Sequence, residues 1–265
     1  MIYPLDLCRW VKFPNRELIE VLLVQRDETQ SVNFPKICEV LKKFNIKVIL
    51  QISYYMNNLP HILCFLDITD LNLPFENVIK EFEKENLRII EIAKPKRKGI
   101  IIDTISFPLM AGRSRVIIFR DFAYSNIIKG LRERFGSGGE VLLYYIGLEC
   151  GRGFGKLHKE FAQDVEIEDP AEIYREISCA FFQWAGFGRI ADVEITEEGG
   201  SITLHDSFEC EIMRNKLRKS YSQLVRGMIT GILNEVFNKE FDVIEERCLA
   251  KGDPFCRFKI SSRYR

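Results

Sequence analysis

The sequence contains no Cys-x-x-Cys pair, although it holds eight cysteines in 265 residues. The tightest spacing used by short redox and zinc motifs is therefore missing. Net charge is also missing: 38 Lys and Arg balance 38 Asp and Glu. A chain without a broad basic footprint is not expected to bind nucleic acid directly. No apolar run reaches the ~20 residues of a membrane span. The opening residues, MIYPLDLCRWVKFPNR, are broken by Asp6, Arg9, Lys12 and Pro14, which leaves no apolar stretch for a secretory signal. A cytoplasmic protein is expected. Phosphate-cradling motifs are absent too. In GRGFGK a P-loop would need glycine at Cys150 and Ser or Thr at Leu157. No flavin or nicotinamide motif and no acid–base pair stands out, so an enzyme ranks last among the readings.

What is present is a core. Hydrophobic residues make up 46% of the chain, enough to exclude global disorder. The stretch AKPKRKG, residues 93 to 99, combines proline, glycine and four basic residues and reads as a solvated linker. Before it, the pattern predicts strand (17–25), helix (33–45), strand (46–56), strand (61–68), helix (74–86) and strand (87–93). Asn33 or Phe34 starts the first helix with Pro35 in its first turn, and Ile79 and Phe82 mark the inner face of the second. This order fits the split βαβ of a ferredoxin-like sandwich. On element order it resembles the ACT regulatory domain, over residues 1–95. That resemblance implies binding of amino acids or related small ligands at dimer interfaces. The loop RDETQSV, residues 26–32, lacks the glycine that such ligand loops often carry.

After the linker the layout changes. Strands are expected over 100–107 and 114–120, and helices over 122–136, 139–163, 169–186 and 217–238. A hairpin at 188–208 turns at Gly199 and Gly200, and a final strand pair flanks AKGD. Gly136 caps the first of these helices. Asp169, Pro170 and Gly186 bound the third, whose stripe is Ile173, Ile177, Phe181 and Trp184. Gly147, Gly151 and Gly155 share one helical face, as do Gly227 and Gly231 in the later helix. Each costs roughly 1 kcal/mol against alanine, so close packing against another element, or against each other, is expected. Cys38, Cys64 and Cys179 lie in apolar-periodic segments and read as buried thiols.

Only Cys248 and Cys256 sit in a loop-like setting, in EERCLAKGDPFCRF. Glu245 and Cys248 are three apart and face opposite sides of an ideal strand, so a bulge or strand end must bring them together; Glu246 would share the face of Cys248 without distortion. Metal site, disulfide and reduced thiol pair all remain open on the residues alone. The pattern Glu245-x-x-Cys248-x-x-x-x-Gly252-Asp253-Pro254-x-Cys256 resembles the C-terminal signature of the 4-vinyl reductase domain family. SRVIIFRD, EVLLYYIGLECGRGFG, DSFECEI and RGMITGIL fit in the same order, so the likeness covers residues 100–261.

That resemblance implies a small-molecule sensor fold, with helices packed on an antiparallel sheet around an apolar pocket. Such domains serve phenol- and xylene-responsive regulators and stand-alone archaeal proteins. In the aromatic sensors the hairpin holds zinc, and the matching ligands are Glu245, Cys248 and Cys256. The remaining cysteine of those sensors aligns with Ser222, a poor zinc ligand, leaving Cys210 or His205 as substitutes. Phe208 falls on a tryptophan position of the pocket, and Ile232 and Val243 on tyrosine positions; Trp184, Phe181 and Tyr145 are further candidates. The loss of tyrosine hydroxyls points to an apolar ligand. His158 and His205 are isolated and read as surface or structural, apart from recruitment of His205 to a metal.

The expected architecture is thus α+β, a ferredoxin-like domain followed by a sensor domain. The expected function is a non-catalytic, hydrocarbon-binding regulator, a homodimer that signals through a protein partner. The alternative is a thiol redox or zinc-dependent regulator acting through Cys248 and Cys256.

Overall fold

The computed structural model describes residues 7, 9–25 and 33–263. The loop 26–32 and Cys8 lie outside the described residues. The chain divides into two compact units, Met1–Ile117 and Ile118–Arg265.

In the first unit, β1 (Trp10–Lys12) precedes β2 (Leu18–Gln25), α1 (Phe34–Lys43), β3 (Lys47–Met56), β4 (Leu59–Asp67), α2 (Phe75–Lys84) and β5 (Leu87–Ala93). The sheet order is β3-β4-β2-β5, antiparallel throughout, which is the ferredoxin-like arrangement. β2 is central and buried along its whole length. Its Ile19, Val21 and Leu23 face Ile37, Leu41, Val78 and Phe82 of the helices. Asn33 caps α1 by accepting the Lys36 amide at 3.3 Å. Cys64 is buried on β4, whereas Cys38 stands one residue past Ile37 on the outer side of α1 and is exposed.

The opposite face of this sheet carries Leu18, Leu22, Leu63 and Phe65, which pack with Val11 and Ile101. Those two come from β1 and β6 (Ile100–Ile102), paired as an antiparallel ribbon. The strand expected over 100–107 thus ends at Ile102, where Asp103 turns the chain by accepting the Ile105 and Ser106 amides. The strand expected over 114–120 reduces to β8 (Ser114–Arg115), paired with β7 (Met110–Ala111).

The second unit begins with α3 (Asp121–Phe135) and α4 (Ser137–Asp164), separated by Gly136 at φ +54°. A third helical run follows as α5 (Pro170–Glu172), a π-helical turn (Ile173–Ser178) and α6 (Cys179–Trp184). The π turn takes up an extra residue. The buried face therefore passes from Ile173 and Ile177 to Phe182, leaving Trp184 65% exposed. The uniform 3.6 period assumed in the sequence reading misses that shift.

β9 (Arg189–Thr196) and β10 (Gly199–His205) form a hairpin whose turn is Glu197–Glu198; the two glycines lie at the start of β10. α7 (Phe208–Glu211), α8 (Gln223–Phe237), β11 (Phe241–Arg247) and β12 (Cys256–Ser262) complete an antiparallel sheet of order β11-β12-β10-β9. Helix α8 starts six residues later than expected, because residues 217–222 run as a loop into its N-terminus.

α8 packs on α4 with backbone against backbone. A Cβ built at Gly147 would lie 2.1 Å from the Leu224 carbonyl oxygen, and one at Gly227 would lie 2.1 Å from that of Tyr144. Gly151 and Gly231 repeat the relation one turn on, at 2.3 Å from Met228 O and 2.2 Å from Leu148 O. The two glycine faces therefore pack against each other. The other sides of α8 place Val225, Ile229, Ile232 and Leu233 in a core shared with Ile202, Val243, Phe258 and Ile260 of the sheet.

Candidate metal centre and aromatic run

Near its end, β11 slips register: Glu245 pairs with Phe258, but Arg247 pairs with Arg257. Glu246 is the extra residue of this bulge and is exposed. The bulge and the strand end at Arg247 turn Glu245 and Cys248 to the same side. Cys248 opens a 3-10 turn (Leu249–Lys251) that closes at Gly252, φ +100°. The Asp253 carboxylate accepts the Cys248 amide at 2.7 Å, and the Cys256 sulfur accepts the Leu249 amide at 3.5 Å. These bonds hold the hairpin end so that Cys248 and Cys256 face inward.

Cys210, on α7, meets them there. Its Sγ lies 3.4 Å from Cys248 Sγ and 3.9 Å from Glu245 Oε1. Ligand atoms of Cys210, Glu245, Cys248 and Cys256 all lie within 4.8 Å of one another, and the three thiols are buried. Metal–sulfur bonds of ~2.3 Å and metal–oxygen bonds of ~2.0–2.2 Å imply tetrahedral ligand separations of roughly 3.5–3.8 Å. The four donors fit a metal ion on this measure. Cys210 supplies the donor that Ser222 lacks; His205 instead packs its ring edge-on to Phe255 at 5.7 Å.

Ser222 still belongs to the cluster. It is the N-cap residue of α8. Its hydroxyl donates to Glu245 Oε1 at 2.7 Å, its amide donates to Glu245 Oε2 at 3.2 Å, and Cys210 Sγ lies 2.9 Å from its Oγ. Burial, then the charge of Cys248, pushes the Glu245 carboxyl up to about 8. Hydrogen bonds with Cys210 and Cys256 hold the Cys248 thiol down, and the same bond to Cys248 pushes Cys210 up. For Cys256 the bond to Cys210 lowers the value, but the bond to Cys248 and burial outweigh it. Protons alone thus leave one thiolate among four acidic groups, whereas a divalent cation favours deprotonation of all four.

The residue before Cys210 escaped the sequence reading. Glu209 is fully buried and accepts the Leu224 and Val225 amides, at 3.2 and 2.9 Å, at the start of α8. Arg132 of α3 pairs with it at 2.9 Å, donates to the Tyr221 carbonyl at 2.6 Å and stacks over the Tyr221 ring. Burial raises the Glu209 carboxyl, against the opposing pull of Arg132 and the helix amides. The signal available was the Glu-Cys pair in DSFECEI: adjacent side chains on α7 serve two neighbouring sites.

The expected pocket residues separate into three groups. Ile232 and Val243 lie in the core between α8 and the sheet. Tyr145 is exposed on α4. Phe208 and Phe181 are half-buried members of a run of touching rings. Phe208 meets Tyr124 and Phe187, Phe187 meets Phe154, and Phe154 leads through His158 to Phe181 and Trp184.

The metal cluster lies wholly within one recognisable segment. Residues 201–262 match the family model of the vinyl-4-reductase domain. That segment includes all four donors and Ser222. The chain is also similar to three uncharacterized proteins of Methanocaldococcus jannaschii. One is 28% identical over 145 residues, covering 55% of this chain and 76% of its own. The second is 26% identical, covering 47% and 66%, and the third 29% identical, covering 43% and 47%. The matches therefore span from about half to three quarters of these relatives. Among solved structures, the fold is similar to the phenol-responsive sensory domain of the transcription activator PoxR with phenol. That likeness has a TM-score of 0.50 and 17% identity, over 72% of this chain and 92% of the other. A vinyl-4-reductase family protein from Methanocaldococcus jannaschii aligns with a TM-score of 0.36 and 18% identity, over 57% and 100%. In the described residues, no helix is long and apolar enough to cross a membrane.

Proposed function

We propose that the second unit is a zinc-clasped regulatory module. The observation that carries this reading is the convergence of Cys210, Glu245, Cys248 and Cys256 within 4.8 Å. Three thiols and one carboxylate suit zinc; calcium and magnesium prefer oxygen ligands. With four protein donors and no open position, such a centre is structural, not catalytic. It would tie α7, the hairpin end and, through Ser222, the start of α8 into one body. The test is metal analysis of protein purified without chelator. One zinc per chain, lost in Cys210→Ser and Cys256→Ser, is expected; metal-free protein with unchanged thermal stability overturns the reading.

A ligand-sensing role is supported by the fold shared with the phenol-responsive sensory domain. The resemblance to aromatic sensors carries the finer expectations: an apolar small molecule as signal, a homodimer as the assembly, and a protein partner as the output. A second reading follows from the 3.4 Å between Cys210 Sγ and Cys248 Sγ. Oxidation of both thiols by a peroxide would form one disulfide, release two protons to the two waters produced, and remove two zinc ligands. Mass spectrometry after one equivalent of hydrogen peroxide separates the readings. Zinc release with a Cys210–Cys248 disulfide supports a redox regulator; retained zinc and reduced thiols support the structural clasp.

A further inference from the structure

The ring run in the second unit contains polar groups that its packing does not satisfy. His158 is 3% exposed on α4, and its Nδ1 has no hydrogen-bond partner. Ser178 Oγ and Ser207 Oγ are likewise buried and unpartnered. Buried polar atoms are nearly always paired, and each orphan costs about 1–3 kcal/mol. These three border the same rings. His158 lies between Phe154 and Phe181, nearly parallel to both, with centroids at 6.4 and 5.2 Å. Ser178 stands three residues before Phe181, at the end of the π-helical turn. Ser207 adjoins Phe208, whose amide donates to the Phe187 carbonyl at 3.1 Å.

We propose that this aromatic run is a binding site for a compact, uncharged molecule with an apolar body and one hydrogen-bonding head, anchored at His158. This rests on the ligand-sensing reading above and names the class of ligand. The rings supply an apolar wall, and Phe154, Phe181 and Phe187 are only half-buried, so that wall can part. Trp184 touches Phe181 at 5.9 Å and is exposed, which gives the run an open end. The imidazole is neutral at pH 7, because burial lowers its pKa to about 4, and burial is the sole cause of that shift. With no charged group acting on His158, an ionic head would lose its hydration without a counter-charge. A neutral imidazole offers one donor and one acceptor, which suits an alcohol, ketone or amide.

The experiment uses the full chain with Trp10→Phe, which leaves Trp184 as the single tryptophan of two. Its emission is followed while cyclohexanol, methylcyclohexane or cyclohexanecarboxylate is added. Cyclohexanol is expected to bind roughly tenfold more tightly than methylcyclohexane, one satisfied hydrogen bond being worth about that factor. Cyclohexanecarboxylate is expected not to bind. His158→Phe keeps a stacked ring and is expected to abolish the preference while leaving methylcyclohexane affinity unchanged. Imidazole nitrogen NMR shifts of His158 in the Trp10→Phe chain provide a measurement independent of that variant: they move with cyclohexanol and not with methylcyclohexane. Emission unmoved by every probe, a preference that survives His158→Phe, or an imidazole blind to cyclohexanol overturns the proposal. Zinc is measured on the same samples. Metal-free protein that binds cyclohexanol sinks the metal reading alone, and zinc-loaded protein that binds nothing sinks this one alone.

Discussion

The Ser222 hydroxyl donates to Glu245 Oε1 at 2.7 Å, across 23 residues of sequence and between two different elements. One hydrogen bond thus fixes the orientation of a prospective metal ligand and anchors the first residue of a helix. Ser222→Ala removes it without removing a metal donor. Zinc affinity is expected to fall about tenfold or more, as when other outer partners of metal ligands are deleted. Competition against a colorimetric chelator measures this; unchanged affinity would show that Ser222 does not position Glu245.

Metal removal itself is expected to destabilise the second unit by several kcal/mol. Structural zinc contributes directly to folding, and about 3 kcal/mol corresponds to a fall of roughly 10 °C in Tm for a domain of this size. Differential scanning calorimetry with and without a strong chelator reads it. Cys210→Ser should reproduce the loss and be insensitive to further chelation.

The pair Arg132 and Glu209 gives a separate expectation. Their side chains are 10% and 0% exposed, and the carboxylate also serves two helix amides. Arg132→Met leaves that charge buried without its partner, at a cost of about 3–5 kcal/mol. Urea denaturation measures it. A cost below about 1 kcal/mol would mean that the helix amides suffice to hold Glu209.

Two glycines of α4 are expected to respond with opposite sign. Gly147→Ala forces a methyl against the Leu224 carbonyl and should destabilise by several kcal/mol or prevent folding. Gly153→Ala meets nothing within 4 Å, and should stabilise by up to about 1 kcal/mol through helix propensity. Thermal melts of the two variants test the contact directly.

His158 predicts a pH dependence. Its folded-state pKa lies near 4, below the ordinary 6.5, so the unfolded chain binds the proton more readily. Stability is full above about pH 6.5 and declines as pH falls toward 4, by about 3 kcal/mol over that window. The cluster also titrates in acid, so the His158 share is the difference between the parent and His158→Phe in urea melts at pH 7, 5.5 and 4.5. Parallel losses in both chains would contradict it.

Much of this was legible in the sequence, and the gaps have physical causes. Alternation and helical period gave the βαββαβ order of the first unit, because β2, α1 and α2 each bury one consistent face or strand. The glycine spacing gave a tight helix contact, because nothing else offsets its cost in a helix. Glu245 over Glu246 followed from a required bulge, which the register slip confirms. Cys210 was only one of two candidates for the open metal position, because 35 residues separate it from Glu245 and nothing local encodes their meeting. The π turn was invisible, since an extra residue in a helix leaves composition unchanged. Cys38 was misplaced because it neighbours the buried Ile37 and differs from it by one step of rotation.

The contact between α4 and α8 also governs which changes in length the chain tolerates. One residue inserted between Gly227 and Gly231 would rotate the rest of α8 by about 100°, placing a side chain where the Leu148 carbonyl now sits. The loops beyond either end face no such limit. α8 is therefore a ruler of 15 residues, roughly 22 Å long, with the cluster at its Ser222 end and the return into β11 at the other. The glycines that let the helices touch also set that length, so the cluster and the sheet keep a constant spacing however the surrounding loops drift.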